Sequence, residues 1–159
     1  MFKLCLLILL LVPGYFSQLY NVQKIWLFSQ AQYGGNVPVD KNGKQVQNYS
    51  HQLKCYIETG KNQQMANWQQ AYLNGNKYKV TILPIDQDSV LVGIKINTRS
   101  PIFLKPNVHT KLVQLELTLV GRSGKSNKAK FELEGIINKK HVSFYSNEPL
   151  IELSPLLMP

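Results

Sequence analysis

Lys111 to Ile137 reads KLVQLELTLV, then GRSGKSN, then KAKFELEGII, and this stretch decides the fold. Val113, Leu115, Leu117 and Leu119 alternate with Gln114, Glu116 and Thr118. Past the loop, Ala129, Phe131 and Leu133 alternate with Lys128, Lys130, Glu132 and Glu134. A period of two sends successive side chains to opposite faces, as a half-buried strand requires. Two such runs around a Gly/Ser-rich loop read as an antiparallel hairpin.

Working outward, the same pattern recurs. Leu53, Cys55 and Ile57 alternate with Gln52, Lys54, Tyr56 and Glu58. Tyr78, Val80 and Ile82 alternate with Lys77, Lys79 and Thr81, and Val90, Val92, Ile94 and Ile96 share one further face. Asn42-Gly43, Asn74-Gly75 and Asn138-Lys139 are tight-turn signals, since Asn and Gly tolerate positive φ. Thr98 to Pro106 holds Pro101 and Pro106, so it cannot be a central strand and reads as a crossover between sheets. Val142 and Phe144 mark one more strand and Glu148 to Leu153 a short last one. Residues 18–35 fit a buried edge strand or a short helix, because Val22 and Ile25 to Phe28 show no decisive period. Between Lys61 and Leu73, Met65, Trp68, Tyr72 and Leu73 recur at three and four residues, which predicts one short helix near residues 61–70. Its end competes with a strand, Gln69 to Leu73, that enters the Asn74-Gly75 turn.

The expectation is an all-β chain: an antiparallel β-sandwich of about seven or eight strands, immunoglobulin-like in size. Residues 1–17 read as a signal peptide, 18–48 as an N-terminal strand and polar loop, and 49–159 as the sandwich with an apolar C-terminal tail.

Composition places the protein and limits its chemistry. With 159 residues, the chain suits one domain with a proper core. Lys and Arg number 18 against 9 Asp and Glu, a net charge of +9. The balance favours anionic partners, but the basic residues are scattered, with no run longer than Lys139-Lys140, which describes a solvated surface better than a dedicated anion site, and nucleic acid is not an expected partner. Met1-Phe2-Lys3, the apolar run Leu4 to Val12, and Pro13-Gly14 have the layout of a secretory signal peptide, cleaved near residues 14–18. The run is too short for a mature membrane span of about 20 residues. Export to a bacterial periplasm or the cell exterior is the expectation; an uncleaved signal anchoring the domain to the inner membrane is the alternative. Cys5 leaves with the signal, so Cys55 is the single cysteine of the mature chain and no internal disulfide forms. At an inward strand position Cys55 reads as a small core residue rather than a nucleophile.

The chemistry-bearing motifs are incomplete. Gly121-Arg122-Ser123-Gly124-Lys125-Ser126 has the ending of a phosphate loop, but position 119 is Leu and a strand comes next where a helix is needed. His51, His109 and His141 are far apart and form no metal-ligand spacing. No nucleophile elbow occurs. Asp86 with Asp88 lies in a turn, and Glu132 with Glu134 reads as the solvent face of a strand balanced by Lys128 and Lys130. No cofactor is implied.

Two surfaces remain. Arg122, Lys125 and Lys128, with the aromatics Tyr56, Trp68, Tyr72 and Tyr145, form a candidate ligand or partner surface. Leu153, Leu156, Leu157 and Met158, in the Pro-broken tail, are costly to leave wet: either the tail covers the core or it is a candidate docking segment, with strand addition as its natural mode. The leading expectation is an exported, non-enzymatic envelope protein, an accessory or interaction component of a surface or secretion assembly with a protein partner. A binding module for an anionic glycan or lipid headgroup is the alternative, and a hydrolase the third reading.

Overall fold

The computed structural model describes residues 22–34, 39–44, 49–124 and 130–157. The expected signal peptide and its cleavage site, and Lys125, Lys128 and Met158, lie outside the described residues. The order is β1 (Val22–Tyr33), β2 (Tyr49–Gly60), β3 (Asn67–Leu73), β4 (Asn76–Pro84), β5 (Val90–Ile94), β6 (Pro101–Leu104), β7 (Thr110–Arg122), β8 (Phe131–Ile137), β9 (Lys140–Ser146) and β10 (Leu150–Leu157). Eight strands form one curled sheet in the order β10-β1-β2-β7-β4-β3-β8-β9, and β5 and β6 form a small second sheet. The protein is all-β and sandwich-like.

The curled sheet encloses the main core on one face. Ile25 and Leu27 of β1, Cys55 and Ile57 of β2, and Leu115 of β7 meet Trp68, Phe131, Leu133 and Val142 from the far strands. A second, smaller core lies on the opposite face. There Phe28, Tyr56, Leu112 and Leu153 pack under Val92 and Leu104 of the small sheet.

Local turn chemistry is as the sequence predicts. Asn74 and Gly75 have φ of 49° and 78°, and Asn138 and Lys139 have φ of 49° and 64°. These are two-residue turns with both residues left-handed, the twist a tight hairpin needs. They join β3 to β4 and β8 to β9.

Long-range pairing departs from the expectation at several places. The two runs of the deciding stretch are strands, but they are not partners: β7 pairs with β2 and β4, and β8 with β3 and β9. The β3–β4 hairpin is inserted between them. Described residues on both sides of the 125–129 segment bond to the hairpin's turn: Ser123 N–H donates to Gly75 O at 2.7 Å and Asn74 N–H donates to Lys130 O at 3.4 Å. Three inter-strand steps separate β7 from β8, roughly 14 Å, which explains a loop too long for a tight turn. The predicted helix near residues 61–70 is absent. Gly60 to Gln63 is a turn and Asn67 to Leu73 is β3. A bulge between Trp68 and Gln70 keeps Trp68, Ala71 and Leu73 on the core side, whereas Tyr72 is not part of that core. The strands among the described residues number ten rather than seven or eight. Pro101 does not prevent a strand, because β6 is an edge of the small sheet. β1 is a strand, as one of its two readings has it, but β10 covers its outer edge.

Of the two readings of the tail, the structure has the one in which it covers the core, with Leu153 buried, and corrects the one in which it is a docking segment. It is not a free segment: Leu150 to Leu157 pair in parallel with Leu27 to Tyr33, so the sheet is mixed. A register shift between Gln30 and Gln32 accommodates Ser154-Pro155, and Gln30 Nε2 donates to Ser154 O at 2.8 Å. A bulge is where a strand can hold a residue without an N–H.

Candidate functional site

β4 and β7 are neighbours in the large sheet, yet the chain between them leaves to build β5 and β6. Such an excursion between adjacent strands is where binding surfaces are commonly carried. Its underside is secured: Val92 and Leu104 are buried, with Val90 and Ile102 packed beside them. Gly93 allows the close approach, since a Cβ there would sit 3.0 Å from Leu153 Cδ1.

The outward side is different. Leu91 and Phe103 are cross-strand partners, and they are 58% and 61% exposed. Ile94 pairs with Pro101, and Ile94 and Ile96 are exposed as well. Strict alternation would place Val90, Val92, Ile94 and Ile96 together on the core side. The register shifts between Leu91 and Gly93, and one extra residue in a strand reverses the facing of the residues beyond it. Ile94 therefore joins Leu91 on the outside. Sequence reasoning missed this surface because a bulge has no signal in an apolar run; Gly93 is the one residue that hints at it.

The turn at the tip is tightly held. Lys95 N–H donates to Ser100 O and Arg99 N–H to Lys95 O, both at 2.9 Å, with Arg99 left-handed at φ 53°. At the other end, Glu58 accepts from the Thr110 hydroxyl, and its Oε1 accepts from Asn107 N–H at 3.4 Å. Asn107 Oδ1 accepts from His109 N–H at 2.8 Å. This buried carboxylate staples the excursion to β2. Beside it lies an open groove of about 380 Å³ bordered by Lys61, Asp86, Asp88, Lys105 and Lys111. Its mixed charges favour no one ligand class.

The residues singled out from sequence do not converge. Trp68 is 1% exposed inside the main core, so it offers no surface; its ring packs over Gly135. Tyr56 is buried in the second core, its ring edge-on to Phe28 with centroids 5.9 Å apart. Burial raises the Tyr56 pKa, with the neighbouring Cys55 adding to the shift. Arg122 is exposed at the end of β7, far along that strand from Gln114, the register partner of Tyr56. Tyr72 and Tyr145 are brought together: both are register partners of Glu132 on β8. Tyr72 hydroxyl donates at 2.9 Å to Gln70 Oε1 and lies 3.2 Å from Glu134 Oε2. Glu132 is 4% exposed rather than on a solvated face. This row is a hydrogen-bonded cross-strand ladder, which stabilises a sheet without needing a ligand. Of the tail residues, Leu153 is core and Leu156 is exposed; the Leu157 backbone pairs with Tyr33.

Cys55 is fully buried, and burial pushes its thiol pKa far above the ordinary value. A protonated, inaccessible thiol is a poor nucleophile. In a chain produced without residues 1–17, Cys55 is the single thiol. It should not react with a disulfide reagent at pH 8 in the folded state and should react promptly in denaturant; fast native reaction would contradict its placement. Lys54, beside it in β2, has its pKa lowered by burial and donates to Gln30 Oε1 at 2.9 Å. Among the described residues no group of three His, Cys, Asp or Glu converges to hold a metal, and no helix is long and apolar enough to cross a membrane. Comparison with known protein families, with curated proteins and with solved structures finds no match to this chain.

Proposed function

We propose that the chain is an exported, non-enzymatic envelope protein, an interaction component that makes its contact through the outward face of the β5–β6 sheet. One observation carries the reading: Leu91 and Phe103 stand paired and exposed on an excursion whose other side is securely packed. Single exposed apolar residues are ordinary, but contiguous ones on a built platform mark contact sites. The signal-like layout of the first 17 residues supports export. The chemistry-bearing motifs that would favour a hydrolase are lacking in the sequence, and the candidate carboxylates Glu132 and Glu134 are engaged in a sheet ladder.

A photo-crosslinking residue at position 103 tests this in cells. It should give an adduct, of protein or of lipid, that the same residue at exposed Thr81 does not give. No adduct at position 103, or equal adducts at both positions, overturns the reading.

A further inference from the structure

The outward face of β5 and β6 is apolar, and the segment that carries it is basic. From Ser89 to Leu115 the sequence holds Lys95, Arg99, Lys105 and Lys111 and neither Asp nor Glu. The hydrogen-bonded turn from Lys95 to Ser100 places Lys95 and Arg99 together at the tip, next to exposed Ile94 and Ile96. Lys105 directly follows β6, beyond Phe103 and Leu104. The bordering acidic groups are Glu152, whose backbone carbonyl accepts from Ile96 N–H; Asp86 and Asp88, which line the groove together with Lys105; and Glu58, which is occupied by Thr110 and Asn107.

We propose that the β5–β6 face docks on an anionic lipid bilayer, with Leu91, Ile94, Ile96 and Phe103 entering the headgroup region and Lys95, Arg99 and Lys105 meeting lipid phosphates. The inference rests on the reading that this face is the contact surface, and it adds the chemistry of the partner. Apolar side chains flanked by cations of one sign are what an anionic interface selects, because burial and charge attraction act at the same depth. A second copy of the chain fits less well: apposing two such faces would bring Lys95, Arg99 and Lys105 of both copies together, and like charges disfavour that contact. A bilayer also accepts a two-stranded sheet without a groove shaped to receive it.

Sedimentation with vesicles of phosphatidylcholine, with and without phosphatidylglycerol, tests the proposal on the folded mature chain. Binding should require phosphatidylglycerol and weaken as salt rises. Leu91→Ser with Phe103→Ser, and separately Lys95→Glu with Arg99→Glu, should each reduce partitioning by about tenfold or more. All four side chains are exposed, so the unfolding midpoint of each variant should stay near that of the parent. Absence of sedimentation, equal binding to neutral vesicles, or binding unchanged in both variants overturns the proposal. So does a dimer in gel filtration that the Leu91→Ser, Phe103→Ser chain no longer forms. If position 103 crosslinks a protein in cells while vesicles are ignored, the contact face stands and the lipid assignment falls.

Discussion

A chain ending at Glu148 should lose its cooperative fold. Without β10, the outer edge of β1 is stripped of its ladder from Leu27 to Tyr33. The second core loses Leu153, which is 2% exposed, and Ile151 beside it. Leu153→Ala alone should cost about 2–5 kcal/mol, and the truncation more, because it also bares a long strand edge prone to aggregation. Urea unfolding of the point variant and gel filtration of the truncated chain measure the two effects. If the segment were only a docking tail, the truncated chain would be monomeric with the midpoint of the parent, and that result would remove β10 from the fold.

The second large effect lies at Trp68 and Gly135. Trp68→Ala should cost about 3–5 kcal/mol, the range for emptying a large buried aromatic site. Trp68→Phe should cost much less. The indole Nε1 is buried without a hydrogen-bond partner among the described residues, and losing an unpaired buried donor, worth about 1–3 kcal/mol, offsets part of the lost packing. Gly135 is the ring's seat. A Cβ there would lie 2.6 Å from Asn67 O and 2.9 Å from Trp68 Cε3. The first of these is backbone and cannot swing aside, so Gly135→Ala should destabilise by about 1–3 kcal/mol. Combining it with Trp68→Phe should recover only part of that cost. Midpoints from thermal or urea unfolding decide this. A neutral Gly135→Ala would mean that β3 and β8 are spaced more widely at this pair.

Legibility in the sequence tracks the range of the forces involved. Asn74-Gly75 and Asn138-Lys139 are readable because the turn is set by the φ preferences of two residues. Alternation in β2, β4 and β7 is readable because the pleat repeats every two residues. The partner of each strand is not. Leu115 and Leu117 need an apolar neighbour, and β4 serves as well as β8; only the length of the loop after Arg122 hints that two strands lie between. Bulges mislead most. Beside Trp68 a bulge breaks the period of two, so that Trp68, Ala71 and Leu73 share the core side, and at Val92 another turns Ile94 from the core to the outside. Pro155 misleads in a third way, since the side chain of Gln30 and a register shift let β10 continue past it. The exposed β5–β6 face is hidden in the sequence by the same mechanism, whereas Tyr56 and Trp68 stand out as aromatics and are structural.

The central claim is that Phe103 and Leu91 face a partner in the cell. Crosslinking from position 103, with position 81 on β4 as the control, measures it most directly. Both positions are exposed, so random collision should label them alike. A discrete adduct from position 103 alone, lost when Leu91→Ser is added, is the expected result. Equal labelling from both positions, or none from 103, would contradict it.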